Sequence, residues 1–214
     1  PKVELVTTDG FLLPNAEFAS NANGWDIVVA EEDWATTLLT VDLFNMPAEV
    51  HCLEVLGTPT PLGQIVVESS PVLIQGGKHH IVSGYPCVDN GTITLSYKTF
   101  NAAGAVLDQG VCPATFNATT SANINNYTRT WVKFLAAETA VKMRLYMTVT
   151  SDGDFVTQGA LFRPMIEQSW EGQEEPSAWT PNLEGVPQAL AEATEELTTR
   201  VTSIEGVNTA QATK

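Results

Sequence analysis

The amino-acid sequence predicts an antiparallel β-sandwich followed by a C-terminal α-helix. Three observations support this prediction: short runs rich in Val, Ile, Thr and aromatic residues, turn residues between those runs, and a helical period that begins only near the C-terminus. We place the boundary at Asn182, with a β domain over residues 1–182 and a helical stalk over residues 183–214. For the β domain we expect about eight to ten strands.

Two segments of the β domain, Thr92–Thr99 and Lys142–Thr150, alternate strictly between apolar and polar residues. Successive side chains of a strand point to opposite faces, so the alternation predicts half-buried antiparallel strands. Turn sequences such as Asp89–Gly91 and Asp152–Gly153 separate the runs without an intervening helical pattern, which favours a sandwich or jelly roll. The predicted apolar faces are Ile93, Leu95 and Tyr97 in the first segment and Met143, Leu145, Met147 and Val149 in the second.

The C-terminal segment has apolar residues at positions 186, 190, 193, 197, 201, 204 and 207. This spacing predicts a helix with a seam close to a heptad repeat. About three heptads are marginal alone in water, so the helix is expected to associate with copies of itself, to pack on the sandwich or to continue in a longer chain. Because the pattern stops at Lys214 without a cap, and the N-terminus lacks a signal peptide, we interpret the chain as a fragment. The predicted oligomerisation residues are Leu190, Ala193, Leu197, Val201 and Ile204, and an alternative register places Arg200 on the seam.

The composition excludes several classes of protein. With 43% apolar and 16% charged residues, the chain has enough material for a core and too little charge for a disordered body. A net charge of −15 argues against binding to nucleic acids and to anionic membranes. The sequence has no apolar run of about 18 residues that would insert in a bilayer.

Sequence signatures of catalysis and of metal binding are missing. The chain has no nucleophile elbow, phosphate-binding loop or zinc-protease motif, and we predict that it is not an enzyme. His79 and His80 are adjacent in a predicted strand, so they point to opposite faces and cannot chelate one metal together. The three cysteines, Cys52, Cys87 and Cys112, lack zinc spacing; either one bridge (Cys87–Cys112) or three free thiols fit them. A glycoside hydrolase stays an alternative if two carboxylates face one another, the candidates being Asp33, Asp42, Asp152 and Asp154.

Two motifs at opposite ends of the β domain resemble a known family. The first, Leu12–Trp25, is similar to the opening strand of jelly-roll carbohydrate-binding modules, with an Asn, an aromatic residue three positions later and a Gly-Trp pair. The second, Gly159–Glu167 followed by Pro176–Pro181, resembles the closing strand and exit loop of such modules in bacteriophage tail proteins. The resemblance implies a tail-tip or tail-fibre receptor-binding module in the virion. Its expected partners are a bacterial surface glycan or receptor and other tail proteins, and its expected state is a homotrimer joined through the stalk.

Sugar binding requires flat aromatic rings beside fixed polar groups. The candidate residues are Trp34, Tyr85, Trp131 and Tyr146, with Lys98, Lys142 and Arg144 as polar neighbours. If the two alternating strands share a sheet, basic residues gather on one side of an acidic protein, and such a face would suit an acidic glycan. The alternative is that these are ordinary solvated strand residues. The basic set is Lys98, Arg129, Lys133, Lys142 and Arg144.

The resemblance also bears on cofactors. Jelly-roll modules often carry one structural calcium ion, and Asn15 and Glu17 would supply one side of that site. The last strand has Leu161-Phe-Arg-Pro164 where the family more often places a pair of Asp residues, so we predict no metal and no other cofactor. The rival to a glycan-binding module is a structural spacer that binds no ligand. An exposed aromatic and basic face would favour the binder, and a face of Thr and Ser alone would favour the spacer.

Overall fold

The computed structural model describes residues 24–31, 33–34, 39–42, 51–58, 62–114, 127–153 and 155–179, together with Leu13, Phe18 and Ala22. By its internal contacts the chain divides into two units, Pro1–Asn182 and Leu183–Lys214, and every described residue belongs to the first. The predicted stalk, its oligomerisation residues and the calcium candidates Asn15 and Glu17 therefore lie outside the described residues.

The described part of the chain forms eleven strands, one more than the largest number expected, and contains no α-helix, as the alternation pattern predicted. It accordingly has no helix long and apolar enough to cross a membrane. The strands are β1 (Trp25–Ala30), β2 (Leu39–Asp42), β3 (His51–Gly57), β4 (Gln64–Ser69), β5 (Val72–Leu73), β6 (His79–Asp89), β7 (Gly91–Phe100), β8 (Val106–Val111), β9 (Thr130–Leu135), β10 (Lys142–Ser151) and β11 (Thr157–Ser169).

The strands pair into two antiparallel sheets. The six-stranded sheet has the order β1-β4-β10-β7-β8, with β5 also pairing β10. The five-stranded sheet has the order β2-β3-β11-β6-β9. Neighbours in the sheets are often distant in sequence, because β10 joins β4 to β7 and the last strand, β11, lies between β3 and β6. The sandwich prediction is confirmed.

The core lies between the two sheets and consists of side chains from alternate strand positions. Both predicted apolar faces point into it: Met143, Leu145, Met147 and Val149 are fully buried, and Ile93, Leu95 and Tyr97 are 7%, 1% and 5% exposed. The five-stranded sheet contributes Leu53, Val55, Val82, Leu161 and Ile166 to the same cluster. The two strictly alternating segments thus correctly indicate which side of the six-stranded sheet faces the core.

The turn between β6 and β7 shows how one predicted turn is enforced. Asn90 has a positive φ of 55°, and a Cβ atom on Gly91 would stand 2.3 Å from the Thr150 carbonyl oxygen. Only glycine allows so close an approach of the two backbones. The turn therefore fixes the register in which β7 runs alongside β10.

All three cysteines are buried as thiols and none forms a disulfide, so the bridge alternative is wrong and the thiol alternative is correct. Cys112 belongs to the core between the sheets, whereas Cys87 belongs to a second cluster with Cys52, Tyr127, Ala160 and Phe162. Burial raises the pKa of the Cys112 thiol to about 12 and raises the pKa of Cys87 well above its ordinary value. Both thiols are therefore protonated and poorly nucleophilic at neutral pH.

Candidate functional site

The outer face of the five-stranded sheet is covered by further polypeptide. Side chains that alternate with the core positions of β6 and β11 point away from the core, yet Ile81, Ser83, Cys87, Phe162 and Met165 are at most 1% exposed. Tyr85 and Trp131 are half-buried at the margins of this face. Because a ligand cannot reach fully buried side chains, most of this face is closed to binding.

The segment after β11, residues 170–179, covers part of this face, and we call it the strap. The Lys133 ammonium donates to the backbone carbonyls of Glu171 and of Gln173, the latter at 2.9 Å. The Arg163 guanidinium lies 4.8 Å from the centre of the Trp179 ring, which is a cation–π distance. Basic side chains of the sheet thus fasten the strap at both of its ends.

A charged pair holds the strap at a single residue, Ser177. Arg129 donates to the Ser177 carbonyl oxygen at 2.6 Å, and the Ser177 N–H donates to the Glu167 carboxylate at 2.9 Å. Arg129 also donates to the Ser83 hydroxyl at 2.8 Å. Since Glu167 is only 2% exposed, its charge is compensated mainly by this arrangement. Burial lowers the pKa of Arg129, but the guanidinium remains charged at neutral pH.

The outer face of the six-stranded sheet is open. Its side chains are half-buried or exposed at nearly every outward position of the three central strands. This is the solvated face that a two-layer antiparallel sandwich leaves on one sheet. It is therefore the candidate binding face. Its residues are Gln64, Val66 and Glu68 on β4, Thr92, Thr94, Ser96 and Lys98 on β7, and Lys142, Arg144, Tyr146, Thr148 and Thr150 on β10.

A cluster of polar residues surrounds Tyr146 on the open face. In the strand register Tyr146 lies opposite Glu68 on one side and Ser96 on the other, and Arg144 lies opposite Lys98. The Lys98 ammonium stands 4.8 Å from the centre of the Tyr146 ring. Arg144 forms an ion pair with Glu68 and donates to the Ser69 carbonyl oxygen at 3.2 Å. We call Glu68, Lys98, Arg144 and Tyr146 the Tyr146 cluster.

The Tyr146 hydroxyl is fixed as a hydrogen-bond donor. Burial, reinforced by the charge of Glu68 and a hydrogen bond to it, raises the pKa of Tyr146 to about 12. The phenol is therefore protonated at physiological pH and donates to the carboxylate. Because the ring is 8% exposed and lies beneath Lys98, it is not an open stacking platform. The cluster offers ordered donors on Lys98 and Arg144 and an acceptor on Glu68, a set that suits a ligand rich in hydroxyl or anionic groups.

The structure separates the predicted binding residues into three groups. Lys98, Arg144 and Tyr146 come together as predicted, with Lys142 beside them on β10. Tyr85 and Trp131 lie instead on the five-stranded sheet, where Tyr85 stacks on Phe162 with ring centres 5.1 Å apart. The prediction that five basic residues share one side is wrong for Arg129 and Lys133, because Lys133 lies on β9 of the other sheet, Arg129 directly precedes β9, and both bind the strap.

The prediction that Trp34 forms a binding platform is wrong. Its side chain is 5% exposed and belongs to the core. Trp34 pairs with Gly57 in an isolated bridge, and a Cβ atom on Gly57 would stand 2.7 Å from the indole ring. The missing side chain at Gly57 therefore leaves the space that the indole occupies.

Sequence reasoning missed Glu68, which orders Arg144 and Tyr146. The alternation of β4, Gln64–Ser69, indicates which of its residues point outward, and Glu68 is one of them. The pairing of β4 with β10 joins residues about 76 positions apart, as in the Arg144–Glu68 contact. A pairing across such a distance has no local sequence signal.

The described residues contain no group of three or more His, Cys, Asp or Glu side chains arranged to hold a metal ion. His79 and His80 lie side by side in β6, and His80 is fully buried against Phe134. Of the carboxylates considered for a hydrolase, Asp33 and Asp152 are exposed. Asp154 and the side chain of Asp42 lie outside the described part.

No protein-family model and no curated protein sequence matches the chain. Solved structures do match. The enzymatically active domain of tailspike protein 4 of bacteriophage CBA120 has a TM-score of 0.54 at 10% identity, over 74% of this chain and 21% of that one. The arabinose-bound α-L-arabinofuranosidase MgGH51 has a TM-score of 0.51 at 12% identity, over 74% of this chain and 26% of that one.

A third match is the carbohydrate-binding module TmCBM61 in complex with β-1,4-galactotriose, with a TM-score of 0.48 at 10% identity, over 74% of this chain and 99% of that module. At identities of 10% and 12%, the two matches with TM-scores above 0.5 show a shared fold and nothing of function. This chain also spans only 21% and 26% of the first two proteins.

Proposed function

We propose that the chain is a non-catalytic carbohydrate-recognition module of a phage tail tip or tail fibre, and that the open face of the six-stranded sheet is its binding surface. The observation that carries this proposal is the Tyr146 cluster. It consists of charged and hydrogen-bonding groups that hold one another in place on an accessible face. Such prior ordering lowers the entropic cost of binding a flexible glycan.

The proposal extends to the setting of the module. The resemblance of the opening and closing motifs to phage modules supports a place in the virion, with a bacterial surface glycan or receptor and other tail proteins as partners. The heptad-like spacing after Val186 supports self-association through the stalk, and the resemblance to trimeric fibres supports a homotrimer. Several weak glycan sites in one trimer would bind a bacterial surface through avidity.

A glycan-array screen of the purified chain, including lipopolysaccharide and capsule fragments, tests the proposal. We expect the wild-type protein to bind, and we expect Arg144→Ala to weaken binding about 10- to 100-fold, because hydrogen bonds to charged groups contribute about 1.5–3 kcal/mol. Trp170→Ala is the matched control, since Trp170 is 67% exposed on the strap beside the other sheet. A loss of binding in Trp170→Ala with retention in Arg144→Ala would contradict the proposed surface.

The alternative function is a structural spacer, and one feature of the open face favours it. Beyond the Tyr146 cluster the face consists largely of threonine: Thr94 lies opposite Thr148, and Thr92 lies opposite Thr150. A flat row of small hydroxyl side chains offers no stacking surface. If a folded, oligomeric protein binds no glycan in the array, the spacer function replaces the binding function.

A further inference from the structure

The Tyr146 cluster contains two cations in a position that a sheet normally avoids. Lys98 and Arg144 lie directly opposite each other on neighbouring strands. Cα atoms of opposed residues are about 5 Å apart, and like charges in this position are destabilising. The chain has only 10 Lys and Arg residues against 25 Asp and Glu. An acidic protein thus places two of its few cations where they repel each other.

Protection of a sheet edge does not explain these cations. Charged residues, lysine above all, are common on edge strands because they prevent pairing with other chains. Lys98 and Arg144 lie on β7 and β10, which are interior strands of the six-stranded sheet. A single charge would also keep this face soluble, so solubility does not account for the opposed pair.

The carboxylate in the cluster compensates only one of the two cations. Glu68 pairs with Arg144 and accepts the Tyr146 hydroxyl proton in a hydrogen bond. In the part of the chain that the structure describes, the Lys98 ammonium contacts the face of the Tyr146 ring and has no carboxylate partner. Lys142, two residues before Arg144 on the same face, lies 6.0 Å from the Phe100 ring centre and adds a further positive charge. Asp26 lies opposite Glu68 on β1, so these two carboxylates lie on one side of Arg144, and the uncompensated positive charge of the open face lies on the other side, at Lys98 and Lys142.

We propose that Lys98 and Arg144 together bind an anionic group of the ligand, so that the glycan recognised by the open face is an acidic one bearing a carboxylate or a phosphate. This inference rests on the proposed function and specifies its ligand. Glu68 holds the Arg144 fork in one orientation, and its negative charge directs the anion toward the Lys98 side of Tyr146. The anion supplies the countercharge that the opposed cations lack, and the hydroxyls of the same sugar meet Glu68 and Ser96.

The test compares acidic glycans with neutral forms of the same sugars. The probes are oligogalacturonate with its methyl ester, sialylated lactose with lactose, and a phosphorylated lipopolysaccharide core with its dephosphorylated form, each titrated with the full chain. We expect the acidic member of at least one pair to bind about tenfold more tightly or better. We also expect that difference to shrink as ionic strength rises from about 0.05 M to about 0.5 M, because salt screens exposed charges. The three pairs distinguish a carboxylate ligand from a phosphate ligand.

Lys98→Gln tests the role of Lys98 in binding the anion without removing either partner of the Glu68–Arg144 ion pair. We expect this variant to lose the preference for the acidic member and Lys98→Arg to keep it. Lys78→Gln is the control, since Lys78 is exposed outside the strands of the open face. Equal binding of the acidic and neutral members by the wild-type chain would overturn the acidic-ligand inference and leave the proposed function standing. A preference that survives Lys98→Gln would overturn the assignment of the anion to Lys98. If the folded chain binds a glycan in the array but no member of any pair, this inference fails alone; if it binds no glycan in the array either, the proposed function fails with it.

Discussion

The outer faces of the two sheets differ, although both sheets belong to one sandwich. Outward positions on β7 and β10 carry Thr, Ser, Lys and Arg and contact solvent, whereas those on β6 and β11 include Ile81, Cys87, Phe162 and Met165 and are buried. The difference is visible in the burial along each strand, which alternates in β7 and is nearly continuous in β11. Strict alternation thus marks a sheet covered on one side, and continuous apolar character marks a sheet covered on both sides.

The same comparison separates two arginines. Arg144 on the open face pairs with Glu68, with the two side chains 27% and 18% exposed. Arg129, beside the covered face, holds the strap in place, and the carboxylate of the buried Glu167 binds the same residue of the strap. One arginine is accessible to a ligand, and the other joins two segments of the fold.

The largest effect on the free energy of unfolding is expected from a substitution in the covered face. Phe162→Ala should lower the free energy of unfolding by about 3–5 kcal/mol, because the ring is fully buried and packs on Tyr85 and on Tyr127. Thr94→Ala, at a half-exposed position of the open face, should change it by less than about 0.5 kcal/mol. Urea denaturation of both variants measures the difference. Similar values for the two would mean that the covered face is not a second core.

Substitutions of the two arginines should also differ in their effect on the free energy of unfolding, but by a smaller margin. Arg129→Met should destabilise the fold by about 2–3 kcal/mol, because the buried Glu167 loses its nearby countercharge and the Ser177 peptide loses a charged donor. Arg144→Met should cost at most about 1 kcal/mol, the usual contribution of a partly exposed ion pair. Hydrogen exchange at Ser177 should rise in Arg129→Met and stay unchanged in Arg144→Met. Equal protection in both variants would contradict the role of Arg129 in holding the strap.

The buried His80 is expected to make the free energy of unfolding depend on pH, and no residue of the open face is expected to do the same. His80 is fully buried, and burial lowers its pKa below the ordinary value of 6.5. The unfolded chain therefore takes up a proton that the folded chain resists, and stability falls as the pH drops below about 6.5. His80 Nδ1 bonds the Lys78 carbonyl oxygen at 3.0 Å, so this nitrogen carries the proton of the neutral ring. His80→Gln should flatten the dependence of unfolding free energy on pH between about 6.5 and 5. An unchanged slope would assign the effect to carboxylates.

The smallest effect on the free energy of unfolding is expected from Lys98→Gln. The variant loses a cation–π contact of about 0.5–1 kcal/mol at most and removes a like-charge repulsion of comparable size. Its free energy of unfolding should therefore stay within about 0.5 kcal/mol of the wild type. A loss of more than about 1 kcal/mol would make Lys98 a structural residue and weaken its assignment to a ligand.

The sequence alone predicts the strands of the open face correctly, because a strand covered on one side alternates between apolar residues that face the core and polar residues that face solvent. It predicts the cluster only in part. Lys98, Arg144 and Tyr146 follow from the alternation of β7 and β10, whereas Glu68 depends on a pairing between distant segments. The interpretation of Trp34 fails for a related reason: Gly57, a distant residue, provides the slot that buries the ring.

The position of β11 has a consequence for how the chain is made. This strand is the last of the described strands in sequence, yet it lies in the centre of its sheet, joined to β3 on one side and to β6 on the other. Until residues 157–169 leave the ribosome, β3 and β6 have no β11 to pair with, and their apolar faces remain without a partner. Contacts between residues as distant as Glu54 and Gln158 make folding slow. A chain truncated before β11 is therefore expected to aggregate during synthesis, since unpaired apolar strands pair readily with other chains.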